Sequence, residues 1–393
     1  MTNPKLALIP SGYKGGANPT VYSILPNDGS GDFTFSRTGE ATRVRKDGLI
    51  EEVTDDVPRL DWSDGNCPSL LLEPERTNYA LNNTQLQLNS TLSSSGTITM
   101  TGNYAIAPDG TLTATRIEAS ATGTGYALLS VNGTDPSVDG DGGGYYISTI
   151  YVKSNTGQNQ TCAFYGASSG SPKTRTVTTE WTRIQFTGFR AANTKYAYVG
   201  VAINNGSDEE LDFLVWGGQT ELVDSYASSL IYTEGSTVTR FKDECLLGGD
   251  ADLFNITEGT FFVDANNFGT PLNNFSMITL SNGSTNFIRF IYESSRIRTT
   301  IENPSVQQDY FITGVNDNQR NKVAITFKQN EFKVYFNGVL KDTDTSGVVP
   351  TGFVRLDFAS QSGTTRHFEG KVYDTRVYDR VLTEAEAIEL TTL

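Results

Sequence analysis

The chain is poor in the residues from which most catalytic and metal centres are built. Its 393 residues include one histidine, His367, and three cysteines far apart, at Cys67, Cys162 and Cys245. A Ser-His-Asp site would have to be built on His367, and structural zinc needs closely spaced Cys or His ligands. Both kinds of site are therefore disfavoured. The odd, scattered cysteines also argue against a disulfide framework and predict three reduced, mostly buried thiols.

Long apolar runs and excess positive charge are missing as well. No stretch approaches the ~18 apolar residues that a transmembrane helix requires, so no membrane insertion is expected. The N-terminal apolar patch is too short for a secretory signal. The 30 Lys and Arg against 45 Asp and Glu give a net charge of −15. Such an acidic chain is unsuited to phosphate backbones, and no nucleic-acid partner is expected.

What the chain has in quantity is glycine, 38 residues, and aromatics, 11% of the total. Short alternating apolar segments separated by turn residues are typical of β-sandwiches. In one of them Val323, Ile325 and Phe327 are predicted to face inward. Asn337-Gly338 predicts a type I′ turn, and Thr383 with Glu386 has the spacing of a capping box. We therefore predict an all-β fold with two antiparallel β-sandwich (jelly-roll) domains, an extended hairpin-rich N-terminal segment and one short C-terminal helix.

Changes in composition divide the chain into four parts. The predicted parts are an N-terminal arm and hairpin segment at 1–84, a first sandwich at 85–232, a linker at 233–250 and a second sandwich at 251–393.

The hairpin-rich stretch 33–83 has apolar residues only in short bursts. Turn signals at Lys46-Asp47-Gly48 and Ser63-Asp64-Gly65-Asn66 predict two hairpins. Their predicted strands are Thr42–Arg45 with Leu49–Val53, and Arg59–Trp62 with Ser69–Glu73. A segment this polar cannot form a core of its own, so it must pack against the sandwiches or a neighbouring subunit. Its predicted contact and assembly residues are Leu60, Trp62, Leu70 and Leu72.

The same stretch resembles a segment found near the N-terminus of tail-fibre and other structural proteins of bacteriophages. The resemblance rests on Gly31–Arg37, Ala41–Val44, Asp47–Glu51, Val57–Asp61 and Cys67–Pro74, with Thr77-Asn78 closing it. It implies a virion protein that is assembled in the host cytoplasm, with other virion proteins as partners. By analogy with fibre proteins it also implies a homo-oligomer, with a trimer favoured.

Both sandwiches carry resemblances of their own. Asp109–Ala114 and Val215–Glu221 are similar to the first and last strands of carbohydrate-binding-module-like jelly rolls. Gly370–Val372 and Val377–Thr383, together with the Phe336-Asn337-Gly338 hairpin, resemble the end of laminin-G-like, concanavalin-type lectin domains. Such domains bind glycans or proteins, and some bind calcium. A host cell-surface glycan is therefore an expected partner.

Candidate chemistry is sparse. Asp135, Asp139 and Asp141 lie in a Gly-rich loop of the kind that suits Ca²⁺, although a plain solvated acidic loop is favoured, and no other cofactor is expected. No strand carries the Glu-x-Asp-x-x-Glu pattern of retaining glycosidases on this fold, so the protein is predicted not to be an enzyme. For each aromatic candidate for stacking on sugars, core packing or a subunit interface is favoured. These candidates are Tyr145, Tyr151, Trp181, Tyr196, Tyr198, Tyr292, Tyr335 and Tyr373.

The resulting functional hypothesis is a non-enzymatic fibre- or appendage-type virion protein that presents glycan-binding modules for host attachment. A capsid decoration or head-fibre protein with the same modules is an alternative, as is a polysaccharide depolymerase. A secreted bacterial lectin is disfavoured by the N-terminus and by the stretch 33–83.

Overall fold

The computed structural model of the chain describes residues 3–12, 20–88, 90–94, 96–120, 127–131, 143–166, 173–191, 199–202, 208, 210–223, 226–269, 275–293, 295–316 and 318–393. These residues form almost entirely β-structure. Their one α-helix, α1, spans Glu384–Thr391, and short 3-10 turns occur at Pro10–Gly12 and Leu86–Leu88. The predicted all-β class is confirmed.

The described residues contain thirty strands, which fall into three consecutive groups along the chain. The N-terminal group is β1 (Leu6–Leu8), β2 (Thr20–Val21), β3 (Phe33–Ser36), β4 (Ala41–Val44), β5 (Ile50–Val53), β6 (Arg59–Asp61), β7 (Ser69–Leu72) and β8 (Arg76–Asn78). The middle group is β9 (Ser90–Ser94), β10 (Thr97–Ala105), β11 (Ala114–Ser120), β12 (Ala127–Val131), β13 (Gly143–Ser154), β14 (Gln160–Gly166), β15 (Lys173–Val177), β16 (Thr182–Ala191), β17 (Val199–Ala202) and β18 (Glu210–Glu221). The C-terminal group is β19 (Val238–Arg240), β20 (Glu244–Leu246), β21 (Gly259–Asn267), β22 (Ser276–Ser281), β23 (Phe287–Glu293), β24 (Arg296–Asn303), β25 (Ser305–Thr313), β26 (Arg320–Lys328), β27 (Glu331–Phe336), β28 (Val339–Asp344), β29 (Arg355–Asp357) and β30 (Gly370–Tyr378).

The middle sandwich is built from consecutive strands. One five-stranded sheet has the order β10-β11-β18-β13-β16, and the facing sheet has the order β15-β14-β17-β12-β9. Alternate side chains point to opposite faces of each strand, and the inward set forms one apolar cluster. Phe164 lies at its centre, with its ring centroid 5.5 Å from that of Phe186 and 6.5 Å from that of Phe213.

The C-terminal sandwich is larger and draws on distant parts of the chain. One sheet runs β28-β27-β26-β21-β30-β7-β6, with β1 also paired to β30, and the other runs β25-β24-β23-β22-β29. Val323, Ile325 and Phe327 are fully buried between these sheets, as the alternation predicts. Asn337 and Gly338 have φ of 47° and 79°, the positive values that a type I′ turn requires.

Both predicted N-terminal hairpins are present, as β4–β5 and β6–β7. The second hairpin is part of the C-terminal sandwich, because β7 pairs antiparallel with β30 and places Leu70 opposite Val372. Leu70 and Leu72 are buried in that core, so the segment leans on its own chain. Leu60 and Trp62 are half-buried, and the Trp62 ring has the ammonium of Lys46 at 5.4 Å. Whether these two meet a second subunit stays a prediction.

The stretch 233–250, predicted as a linker, differs from that expectation. Its strand β19 pairs with β8, and β20 pairs with β3. Each half of this stretch therefore forms backbone hydrogen bonds with the N-terminal segment. The two short extended runs lie between turns around Gly235 and Gly248-Gly249. The predicted parts 1–84, 233–250 and 251–393 interlock.

Where these parts meet, five of the described charged side chains form one buried network. The guanidinium of Arg59 pairs with Asp243 and, at 2.6 Å, with Glu73; Arg240 pairs with Glu73 at 2.7 Å and Arg37 with Asp243 at 3.1 Å. Burial alone would raise the pKa of Glu73, but Arg240 and Arg59 outweigh it and hold that pKa well below its ordinary value. Buried charges persist only when paired in this way, so the network fixes how the segments meet.

A smaller apolar seam joins hairpin β4–β5 to the middle sandwich. Ile50 and Val44 pack in one cluster with Trp216 and Leu230. Trp216 is fully buried, and its indole N–H donates to the Thr113 hydroxyl at 3.0 Å. The hairpin-rich segment therefore contacts both sandwiches.

Candidate functional site

The five-stranded sheet of the C-terminal sandwich has an outer face that carries arginine and aromatic side chains. In β23 the core takes Ile288, Phe290 and Tyr292, so Arg289 and Ile291 point to the opposite face. We call this surface, defined by Arg289, Arg296, Arg298, Phe311 and Arg366, the arginine face.

Strand register brings its members together. Arg298 of β24 lies directly between Ile291 of β23 and Phe311 of β25. The Phe311 ring is 38% exposed, with the guanidinium carbons of Arg296 and Arg298 at 4.7 and 5.2 Å from its centroid. Guanidinium groups over an aromatic ring form cation–π contacts. An exposed apolar ring is thus flanked by planar hydrogen-bond donors.

Three of the positive charges interact electrostatically. Burial lowers the pKa of Arg289, and the charges of Arg298 and Arg366 lower it further, against the opposing effect of Glu302. Arg298 is neutralised by a two-pronged ion pair with Asp309, with both N–O distances 2.6 Å. Arg289 and Arg296 are likewise paired, with Glu302 and Glu293, so most of the positive charge on this face is balanced by carboxylates.

Arg366 differs from the other arginines of this face in having no carboxylate partner among the described residues. It is exposed at a backbone φ of 56°, and its guanidinium lies 5.3 Å from the centroid of the Phe275 ring. Among the described residues no carboxylate pairs with it. An exposed guanidinium without an acidic partner is available to an anion.

Unpartnered polar atoms mark the same surface. Thr300 is fully buried beside Arg289 in the strand register, and its hydroxyl has no hydrogen-bond partner among the described residues; the Nε of Arg289 has none either. Buried polar atoms without partners are uncommon because they cost free energy. Because both atoms are buried, a ligand on the surface would not reach them.

The predicted acidic site and the thiols have different outcomes. Asp135, Asp139 and Asp141 lie outside the described residues, and within the described part no cluster of three or more His, Cys, Asp or Glu could hold a metal. Cys162 and Cys245 are buried, whereas Cys67 is exposed and departs from the expected burial; all three are free.

The single histidine contacts charged side chains. His367 Nε2 lies 3.1 Å from the Lys242 ammonium and 3.5 Å from Glu244. Burial lowers its pKa, and Lys242 lowers it further against the opposing effect of Glu244. His367 therefore belongs to a cluster of charged side chains between β20 and the second sandwich.

The aromatic candidates separate into three groups. Tyr292 and Tyr335 are core residues, so they are unavailable for stacking. Tyr196 and Tyr198 lie outside the described residues. Tyr145 is exposed, and the remaining three, Tyr151, Trp181 and Tyr373, are half-buried. The hydroxyl of Tyr373 donates to Asp64 at 2.5 Å, which ties that ring to the N-terminal segment.

Sequence reasoning missed the arginine face. Alternation in FIRFIYE would have placed Arg289 opposite Ile288 and Phe290. Strand β25, which supplies Phe311, was not predicted, and Arg366 reaches the face only through the loop between β29 and β30. The sequence pattern could therefore have predicted the position of Arg289, but not those of Phe311 and Arg366.

Comparison with known proteins bears on the C-terminal region. Residues 260–387, about a third of the chain, match the laminin-G-type model of the Concanavalin A-like lectin/glucanases superfamily. Together with the two stacked antiparallel sheets, this match identifies the region as a lectin-type jelly roll.

Three solved structures illustrate the likeness. The carbohydrate-binding module CBM40 of the Ruminococcus gnavus IT-sialidase, bound to α2,3-sialyllactose, is 18% identical over 36% of this chain and 86% of its own, with a TM-score of 0.30. A pentraxin from Limulus polyphemus is 15% identical over 34% and 69%, with a TM-score of 0.27. Sheep galectin-11 is 16% identical over 32% and 86%, with a TM-score of 0.21.

No curated protein matches the sequence. The bacteriophage relationship therefore stays a prediction. Among the described residues no helix is long and apolar enough to cross a membrane.

Proposed function

We propose that the protein is a non-enzymatic virion appendage of a bacteriophage that binds glycans through the arginine face. The observation that carries the binding proposal is the exposed Phe311 ring flanked by the guanidiniums of Arg296 and Arg298. The unpaired Arg366 adds a cation on the β22 side of the same sheet. The lectin-type family match of residues 260–387 supports a carbohydrate as the ligand class. The resemblance of stretch 33–83 supports the virion role.

The chemistry of the face favours glycans that carry a carboxylate. Arginine binds a carboxylate with two parallel hydrogen bonds, and Arg366 is free to do so. The apolar side of a sugar ring can lie on Phe311, which is 38% exposed. Long-range attraction of the acidic ligand would weaken with salt, since part of the affinity is electrostatic.

A glycan array probed with the intact protein tests this proposal. Acidic glycans should be retained above neutral ones, and Arg366→Ala should weaken binding to 3′-sialyllactose and to polygalacturonate by about tenfold, the effect of one lost charge-assisted contact. Lys341→Ala is the matched control, because Lys341 is an exposed cation 5.9 Å from the Phe336 ring on the other sheet. Equal binding by Arg366→Ala and the parent chain would rule out the arginine face.

The virion part of the proposal has its own tests. Mass spectrometry of whole virions should detect the chain, and immunogold labelling should place it at the tail rather than on the capsid. Gel filtration with light scattering should show a stable trimer; a monomer from both recombinant and virion material would contradict this. A reducing-sugar assay on host capsule should stay blank, since release of sugar would indicate a depolymerase.

A further inference from the structure

A cleft of about 670 Å³ opens where three parts of the chain meet. Its lining comes from the middle sandwich, including Tyr151, from hairpin β4–β5, including Val44, and from the C-terminal sandwich, including Phe268. The volume lies within the range of small-ligand sites, which favour domain boundaries. The cleft is separate from the arginine face, since none of the five residues that define that face lines it.

Aromatic rings reach this cleft from two parts of the chain. Tyr151 and Trp181 belong to the middle sandwich, and both are half-buried. Tyr226, which follows β18, packs against Phe268 of the C-terminal sandwich, with ring centroids 5.0 Å apart. The Trp181 indole N–H donates to the Ile106 carbonyl at 3.3 Å, which fixes the ring. Rings held in this way offer flat apolar surfaces together with polar edges.

The charged groups of the cleft are already engaged. Lys371 donates to Ser63 at 2.6 Å and to Asp64 at 2.7 Å. Arg183 donates to the Ser228 carbonyl at 2.7 Å and to the Thr149 hydroxyl at 2.9 Å.

Two further charged groups are held by ion pairs. Arg43 pairs with Glu51 at 2.7 Å, and Glu73 belongs to the buried network. A ligand would therefore find little unpaired charge to neutralise here, whereas the arginine face offers the unpaired Arg366.

Two amide side chains remain free at the lining. Gln185 and Asn318 are both exposed, and neither side chain has a hydrogen-bond partner among the described residues. Gln185 stands on β16 of the middle sandwich, and Asn318 precedes β26 of the C-terminal sandwich. Each amide offers both donors and an acceptor, which suits neighbouring hydroxyls of a sugar.

From these features we infer that the cleft is a second ligand site, which takes a short neutral oligosaccharide held jointly by the two sandwiches. The inference rests on the proposed glycan-binding function but concerns another site and another ligand class. Binding would need the sandwiches in their present arrangement, because Gln185 and Asn318 come from different ones.

The test is titration of the full chain with maltotriose, cellotriose and triacetylchitotriose at millimolar concentration, followed by tryptophan fluorescence and saturation-transfer NMR. At least one should bind saturably and perturb Trp181. Gln185→Ala and Asn318→Ala should each weaken it about tenfold without changing the melting temperature, because both side chains are exposed. Thr187→Ala, an exposed neighbour on the same face of β16, is the matched control and should bind as the parent chain does.

The outcomes separate this inference from the proposed function. No binding of any of the three trisaccharides, or binding indifferent to both amide variants, overturns the cleft site. Arg366→Ala should leave neutral-sugar binding intact, and Gln185→Ala should leave sialyllactose binding intact. Neutral binding that depends on the amides, with no acidic binding at all, would defeat the arginine face and retain the cleft.

Discussion

The two sandwiches share a layered design but differ in how they are assembled. The sheets of the middle sandwich use strands from one continuous stretch, β9 to β18. The C-terminal sandwich instead incorporates β1, β6 and β7 from the other end of the chain, and its core includes Phe33, Phe35, Leu70 and Leu72. Along the sequence, the middle sandwich therefore lies between the two groups of strands that build the C-terminal sandwich.

The difference explains the composition of the hairpin-rich segment. Its apolar bursts are too short for a core of their own, yet most of them pack into the core of a neighbouring sandwich. Towards the C-terminal sandwich it contributes paired strands and core side chains, whereas towards the middle sandwich it contributes mainly the seam of Ile50 and Val44 against Trp216. The segment thus belongs structurally to the C-terminal sandwich.

Separating the parts should give the largest effect. A fragment of residues 251–393 loses β7 and the four apolar side chains Phe33, Phe35, Leu70 and Leu72, each worth about 1.5–3 kcal/mol of burial. That sum is comparable to the whole stability of a typical domain, so the fragment should fail to fold. A fragment of residues 79–233 should fold. Near-ultraviolet circular dichroism and thermal melting measure both.

Adding back residues 1–78 provides the control for that comparison. Co-expression of this peptide with 233–393 should restore a cooperative transition. A cooperative melt from 251–393 alone would show that the C-terminal sandwich folds without β1, β6 and β7. The two sandwiches would then not differ in their dependence on distant strands.

Breaking the buried charge network should have the next largest effect. Arg59→Met leaves Glu73 and Asp243 short of one buried partner, and losing one member of such a pair costs about 3–5 kcal/mol. Urea unfolding should show this loss in the transition that contains the C-terminal sandwich. Arg43→Met, in the half-exposed pair with Glu51, should cost less than about 1 kcal/mol. Equal losses in the two variants would contradict a special role for the network.

The pH dependence should be smaller and has a definite sign. The folded-state pKa of Glu73 is lowered, so the unfolded chain binds the proton more strongly. The stabilisation is complete above the unfolded pKa of about 4.3 and is lost as the pH falls below it. The melting temperature should drop between about pH 5 and pH 3, with a shallower slope in Glu73→Gln. Identical slopes would show that Glu73 is not the group responsible.

Removing the helix cap should have the smallest effect. The hydroxyl of Thr383 accepts from the Glu386 backbone N–H at 3.3 Å, and the Glu386 carboxylate accepts from the Thr383 N–H at 2.9 Å. Thr383→Ala should cost about 1 kcal/mol, seen as a lower urea midpoint for the C-terminal sandwich only. Thr343→Ala, an exposed strand threonine, should change it little. A change in the middle-sandwich transition would mean that the two units do not unfold separately.

Local signals allowed much of the fold to be predicted. Asp47-Gly48 and Asn337-Gly338 encode their turns through backbone conformations that few residues adopt, and Thr383 with Glu386 encodes a cap within four residues. The pairing of Leu70 with Val372 has no such signal, because strand partners 302 residues apart are chosen by the assembled core. The ion pair of Arg59 with Asp243 could not be predicted for the same reason, because the two residues are 184 positions apart.

The candidate sites were less predictable than the fold. Period-two alternation could place Arg289 on an outer face, but nothing local indicates that Arg366 joins it. Gln185 and Asn318 read as ordinary surface residues until two sandwiches bring them to one cleft. The aromatic candidates were divided by burial, which alternation alone does not give for strands covered on both faces.

The position of β30 has a consequence for the biosynthesis of the chain. This strand receives β7 and β1 along one edge, yet residue 370 leaves the ribosome about 300 residues after Leu70. At typical elongation rates of about 5–20 residues per second, that interval is about 15–60 s. During it the middle sandwich can finish folding while the leading hairpins wait with apolar side chains uncovered. The apolar side chains of β7 therefore gain their cover from β30 only in the last stage of synthesis.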